Sequence, residues 1–312
     1  MRQPAPPGIA AVVSRLRAAG CVFAEDEASL LCSAGATPAE LRAMVDRRVS
    51  GVPLEHVLGW AEFCGLRIAV TPGVFVPRRR SEFLVRQAVA AARSRPVRPR
   101  RRGRQPVGAG RGNRGPAGPV VILDLCCGSG AVGVAVATSL DQAELHAADI
   151  DLAAVACARH NVAAVAGRVY QGDLYDPLPA ALRGRVDVLV ANAPYVPTSE
   201  ISLMPPEARL HEPAIALDGG ADGVDLHRRV AAQALGWLAP GGRLFIETSD
   251  RQAALTVAAM TAAGLHARLA SDDDLGATVV TGSAPAARLA QAARLARPAR
   301  PTRPCAELGL RG

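Results

Sequence analysis

The tetrapeptide Asn192-Ala193-Pro194-Tyr195 has the residue types needed to hold a flat NH2 group. The Asn192 side-chain oxygen and the Ala193 main-chain carbonyl can each accept one N–H, Pro194 stiffens the turn, and Tyr195 can shield it. An amide nitrogen is a poor nucleophile because its lone pair is delocalised. Two acceptors orient such a nitrogen and raise its electron density, so no strong base is needed before an in-line displacement. Placement of this kind supplies on the order of 7–11 kcal/mol of barrier reduction. Taken alone, the tetrapeptide reads more simply as an Asx/Pro turn ending a strand. What precedes it in the chain reverses that preference.

Upstream, Asp124-Leu125-Cys126-Cys127-Gly128-Ser129-Gly130 lies where an apolar run ends and a helical pattern begins, so its glycines let the backbone turn tightly and approach a ligand. Gly128, Gly130 and Gly133 keep the spacing G-x-G-x-x-G, so the loop alone leaves NAD and S-adenosylmethionine both open. Asp149 follows about 20 residues later, where a carboxylate can accept both hydroxyl hydrogens of a ribose. Asp173, in the segment QGDLYD, is expected to end the third strand, where it could accept a hydrogen from an adenine amino group while Leu174 packs near the ring. The rival reading of Asp173 is a helix or turn cap.

The elements that must position these residues follow from periodicity. Apolar strand patterns at 120–125, 145–150, 168–174, 186–192 and 243–249 alternate with helical ones at 131–140, 152–166, 224–238 and 253–264, and a final strand pair follows at 267–271 and 277–282. Such alternation predicts a mainly parallel sheet covered by helices on both faces, with ligands at the carboxyl ends of its strands. Residues 9–48 recur at helical spacing, and Thr37-Pro38-Ala39-Glu40 fits an N-cap, a first-turn proline and a capping-box glutamate. Between 51 and 76, short alternating pieces bounded by Gly and Pro predict a β-hairpin, and 81–92 returns to helical period.

The formal net charge is +8, which ordinarily favours a polyanionic partner. Its distribution argues otherwise. Residues 93–118 carry nine arginines and no acid, and residues 283–312 carry six arginines against Glu307, so the rest of the chain is acidic. Both stretches have a composition that predicts disorder, with a flexible linker or insert favoured over contact with RNA or the ribosome. Every basic residue is Arg, which reads as coding bias towards GC-rich codons. The seven cysteines show no C-x-x-C spacing, so a reduced cytoplasmic protein without a metal site is expected. Neither a signal peptide nor a membrane span is expected.

In this setting the chain resembles the class I methyltransferases with an N-P-P-Y motif, and specifically the protein N5-glutamine methyltransferases that modify peptide-chain release factors. The resemblance covers roughly residues 50–282 and runs in order through 52–85, the loop 124–137, 148–151, 159–161, 171–174, 192–198, 211–230 and 240–252. It implies an α/β class I S-adenosylmethionine-dependent fold, with a seven-stranded, mostly parallel sheet and a small N-terminal helical domain. The implied division is a helical substrate-docking domain at 1–50, a hairpin and helix connector at 51–92, the insert at 93–118, the methyltransferase domain at 119–282, and a basic tail at 283–312. The implied roles are Asp124, Gly128, Gly130, Asp149, Asp173, Leu174 and Asn192 for S-adenosylmethionine, and Asn192, Ala193, Pro194 and Tyr195 for a glutamine amide in a release factor. Phe75, Pro77 and Arg78 would line the same pocket.

Two departures stand out. Ala193 stands where proline is usual, which keeps the carbonyl but loosens the backbone. The stretch P-R-P-E-T-E reads Pro77-Arg78-Arg79-Arg80-Ser81-Glu82, and its extra arginines are expected to point away from a site that holds a sulfonium cation. Three rivals are weaker. An adenine-N6 methyltransferase acting on DNA or RNA could hold its base in the same loop. A binding protein that keeps only the fold, and an NAD-dependent oxidoreductase, complete the set.

Overall fold

The computed structural model describes residues 8–34, 37–95 and 118–284. The sequence expectations of disorder at 93–118 and 283–312 lie almost wholly outside those residues.

Two central strands set the architecture. β3 (Val120–Leu125) and β6 (Val186–Ala191) are buried at every position, as strands covered on both faces must be. Around them runs a seven-stranded sheet that also contains β4 (Ala143–Asp149), β5 (Arg168–Gln171), β7 (Leu238–Thr248), β8 (His266–Asp272) and β9 (Ala277–Ser283), in the order β5-β4-β3-β6-β7-β9-β8. The first five are parallel, whereas β9 pairs antiparallel with β7 and with β8. The chain builds outward from β3 to β5 and then returns to place β6 beside β3. That reversal opens a crevice at the carboxyl ends of β3 and β6.

One face of the sheet is covered by α5 (Glu82–Arg93), α6 (Ala131–Thr138) and α7 (Leu152–Ala163), whose Leu84, Ala88, Val134 and Ala158 join Ile122, Val188 and Phe245 in one core. The other is covered by α9 (Asp225–Trp237) and α10 (Asp250–Ala262), with Val230, Ala234, Trp237 and Met260 packed on Leu123, Leu189 and Ile246. Trp237 stacks on Tyr175 at 5.5 Å between ring centroids.

Ahead of the sheet, α1 (Ile9–Ala18), α2 (Ala24–Ser33), α3 (Pro38–Val49) and the single turn α4 (Leu54–Leu58) share a separate apolar centre of Val12, Leu16, Leu31, Val45 and Val57. α3 begins with the expected reciprocal cap: Glu40 N donates to Thr37 Oγ1 at 3.3 Å, and Thr37 N donates to Glu40 Oε2 at 2.8 Å. The antiparallel hairpin β1 (Trp60–Phe63) and β2 (Leu66–Ala69) follows. Asn161 on α7 fastens this hairpin to the glycine loop, taking Ala69 N on Oδ1 at 2.9 Å and donating Nδ2 to Ala69 O at 2.9 Å and to Ser129 O at 2.8 Å. Among the described residues no helix is long and apolar enough to cross a membrane.

Candidate active site

A cavity of about 800 Å³ opens at the crevice between β3 and β6. Every residue singled out for chemistry in the sequence except Gly130 lines it: Asp124, Gly128, Asp149, Asp173, Leu174, Asn192 to Tyr195, Phe75, Pro77 and Arg78. Gly130 sits directly behind, capping α6 with φ 78°, and Gly128 takes φ 54°. Both are left-handed conformations that glycine adopts without strain. At Gly133 a Cβ would meet Asp124 Oδ2 at 2.8 Å and Leu145 Cδ1 at 2.9 Å, so the third glycine lets α6 lie close on the sheet.

Burial and hydrogen bonding set the carboxylates. Asp124 is fully enclosed, with Oδ2 accepting from Gly133 N at 2.8 Å, and burial pushes its pKa up to about 7. Asp149 ends β4 and accepts from Gly128 N at 2.8 Å and Asp151 N at 2.9 Å. Burial raises its pKa, while these backbone donors and that of Ile150 oppose the rise. The carboxylate still has lone-pair capacity for a further donor. Asp173 lies two residues beyond the end of β5, not at its last position, and pairs with Arg229 on α9 at 2.6 Å. Cys126 (φ 54°) and Leu174 (φ 47°) hold left-handed backbone that costs side-chain-bearing residues about 1–3 kcal/mol, as strain at binding sites often does.

On the opposite wall, Asn192 Nδ2 donates to Ser81 Oγ at 3.1 Å. Tyr195 O–H donates to Glu247 Oε1 at 3.4 Å, and Arg80 Nε donates to the same oxygen at 3.2 Å. Burial pushes the Tyr195 phenol up to about 12, so it keeps its proton. Burial also raises the pKa of Glu247, against the opposing pull of Ser81, Arg80 and Tyr195. The expectation that the extra arginines Arg79 and Arg80 point away is corrected for Arg80. It lines the cavity beside Arg78, which was expected there, whereas Arg79 is not among the lining residues. The charge of the two lining arginines is met by buried carboxylates: Arg78 pairs with Glu212, and Arg80 pairs with Glu247 while lying 5.8 Å from the centre of the Tyr195 ring. A cationic ligand therefore does not face uncompensated charge.

The loop after Tyr195 is held from beneath. Val196 N donates to Leu217 O at 3.0 Å, Gly219 N to Val196 O at 2.8 Å, and Gln252 Nε2 to Tyr195 O at 2.6 Å. His227, wholly buried and kept neutral with a pKa lowered to about 4, takes part from α9 by contacting Thr256 at 2.9 Å and the Ala193 backbone. Sequence reasoning missed Ser81, Glu247, Gln252 and Asn161. Glu247 carries a legible signal, an acid inside the apolar strand pattern RLFIET; the others become visible only through contacts far apart in the chain.

Residues 118–208 match the family model described as methyltransferase small domain. A release factor glutamine methyltransferase of Geobacter sulfurreducens is 33% identical over 78% of this chain and 77% of its own length. One from Streptomyces coelicolor is 36% identical over 67% of each chain. A 4-amino-L-phenylalanine/4-methylamino-L-phenylalanine methyltransferase of Streptomyces pristinaespiralis is 34% identical over 75% of this chain and 73% of its own.

Proposed function

Because the chain belongs to the release factor glutamine methyltransferase family, we propose that it methylates the side-chain amide nitrogen of a glutamine in a peptide chain release factor. The observation that carries this reading is that Asn192 and Ala193 open into the same cavity as Gly128, Asp149 and Asp173, so an NH2 group and the methyl donor can meet. S-adenosylmethionine, the cofactor of the family, supplies a methyl group on a positively charged sulfur. The residues present suit it. The glycine loop permits close backbone approach, Asp149 offers carboxylate oxygens to ribose hydroxyls, and Asp173 with Leu174 flanks the adenine side. The acids of the lining, Asp124, Asp149, Asp151 and Asp173 among them, outnumber its arginines and favour a cation.

On the substrate side, Asn192 Oδ1 and the Ala193 carbonyl take one N–H each. Tyr195 stays protonated beside them and excludes water. The nitrogen gains a methyl group and gives up one proton, which can leave after transfer because the N-methylated amide is first formed as a cation and that cation is strongly acidic. The N-terminal helices reach the mouth of this cavity through Arg48, which pairs with Glu27 at 2.6 Å and with Glu207 on the short helix α8 (Pro206–His211) at 3.3 Å. That placement supports the helical region as a docking surface for the release factor.

The Streptomyces pristinaespiralis relative favours one second reading, an aromatic amine on a free amino acid, because an aryl NH2 fits the same two acceptors. Labelled S-adenosylmethionine offered with purified release factor, with 4-amino-L-phenylalanine and with nucleic acid separates these substrates. Label on the release factor, traced to one glutamine by mass spectrometry, is the expected result. Label on the amino acid or the nucleic acid alone overturns the proposal.

A further inference from the structure

We propose that Ser81 is a positioning residue that determines which end of the Asn192 carboxamide faces the substrate, and that it acts through the buried Glu247. The proposal rests on the reading of Asn192 given above. A carboxamide is nearly symmetric in shape but has an acceptor at one end and donors at the other. Presented with Oδ1, it accepts from a substrate NH2; presented with Nδ2, it sets donor against donor. Asn192 Nδ2 is taken by Ser81 Oγ at 3.1 Å, which leaves Oδ1 as the end available to the cavity.

A hydroxyl can accept or donate, so Ser81 by itself would tolerate either orientation of the amide. Glu247 removes the ambiguity. Ser81 is 1% exposed and Glu247 is 1% exposed, so water does not compete for either. Glu247 faces Ser81, and its Oε1 already accepts from Arg80 Nε and Tyr195 O–H. Its Oε2 is buried and accepts no hydrogen bond from any of the described residues, which leaves it open to the Ser81 hydroxyl. A carboxylate that pairs with Arg80 accepts from its neighbours, so the Ser81 proton is directed to it and only the Oγ lone pairs remain for Asn192. Donation then runs one way, from Asn192 to Ser81 to Glu247. Three separate elements converge to build this: the 3-10 turn Arg79–Ser81 ahead of α5, the end of β6 and the end of β7.

Steady-state kinetics with the full-length protein, S-adenosylmethionine and purified release factor test it. Ser81→Ala is expected to lower kcat by about 10²-fold, the scale for a misplaced reacting group, with KM for the release factor changed by less than about twofold. Ser81→Thr keeps the hydroxyl and is expected to restore kcat. Glu247→Gln puts an amide opposite Ser81 that can donate to it, and should lose kcat as Ser81→Ala does. The double variant should be no worse than Ser81→Ala, since both act on one orientation. Unchanged kcat in Ser81→Ala, a Ser81→Thr variant as slow as Ser81→Ala, or additive losses in the double variant overturn the proposal. Melting temperature and cofactor affinity are measured alongside, and a loss of kcat that tracks a loss of either also overturns it. If Asn192→Ala is inactive while Ser81→Ala is not, this inference fails alone; if Asn192→Ala is active, the reading beneath it fails too.

Discussion

Asn161 is the residue whose removal should reveal how the hairpin and the glycine loop depend on each other. Its carboxamide is buried and makes three hydrogen bonds of 2.8 to 2.9 Å, two to the backbone of Ala69 and one to Ser129 O. Replacement by alanine removes all three and leaves Ala69 N, Ala69 O and Ser129 O without those partners. At about 1 kcal/mol net for each bond, the loss is about 3 kcal/mol. A chain of this size converts each kcal/mol into about 2–4 °C, so melting should fall by about 6–12 °C. Asn161→Asp is the informative companion: it can still accept from Ala69 N but turns a carboxylate oxygen towards two carbonyls, and should melt no higher than the alanine variant. Differential scanning fluorimetry with and without S-adenosylmethionine reads both variants. Cofactor affinity should also weaken, since Ser129 lies in the loop and the segment after the hairpin carries Phe75 and Arg78 into the cavity. A shift below about 2 °C for Asn161→Ala would refute the reasoning, because three satisfied buried bonds cannot vanish at so small a cost.

Asp124, with its folded pKa raised by burial to about 7, holds a proton more tightly in the folded state than in the unfolded. Its contribution is therefore complete below its ordinary value of 3.8 and is lost as pH rises through about 7. The melting temperature of the ligand-free protein should fall across that window, and Asp124→Asn, which still accepts from Gly133 N, should flatten the fall in a fluorimetric pH series. At Gly219 a Cβ would meet Gly223 O at 2.5 Å and Tyr195 Cα at 2.7 Å, so Gly219→Ala must displace the substrate loop. Turnover should drop by about 10²-fold while cofactor binding persists, as measured by steady-state kinetics beside calorimetry.

Much of this site could be read before any coordinates because its signals are local. β3 and β6 announce themselves as apolar runs interrupted by a single aspartate each, and the residues that leave their ends, the glycine loop and Asn192 to Tyr195, are adjacent in sequence to those runs. The cap of α3 is likewise contained in four residues. What escaped is what depends on distant partners. Ser81 and Asn192 are 111 residues apart, and nothing in either segment indicates that one orients the other. The direction of Arg80 was misjudged for the same reason: its arginine-rich stretch shows the charge, but the buried Glu247 that draws it into the wall belongs to a strand far downstream. Asp173 was placed at a strand end because its apolar pattern runs on after pairing with β4 has stopped at Gln171.

The most direct test of the account is single-turnover methyl transfer by Asn192→Ala to release factor, with S-adenosylmethionine affinity measured on the same preparation. A fall in rate of about 10²–10³-fold, the scale for removing one hydrogen-bonding group that acts on the reacting atoms, with cofactor binding retained, is the predicted result. Transfer at the parent rate would contradict it.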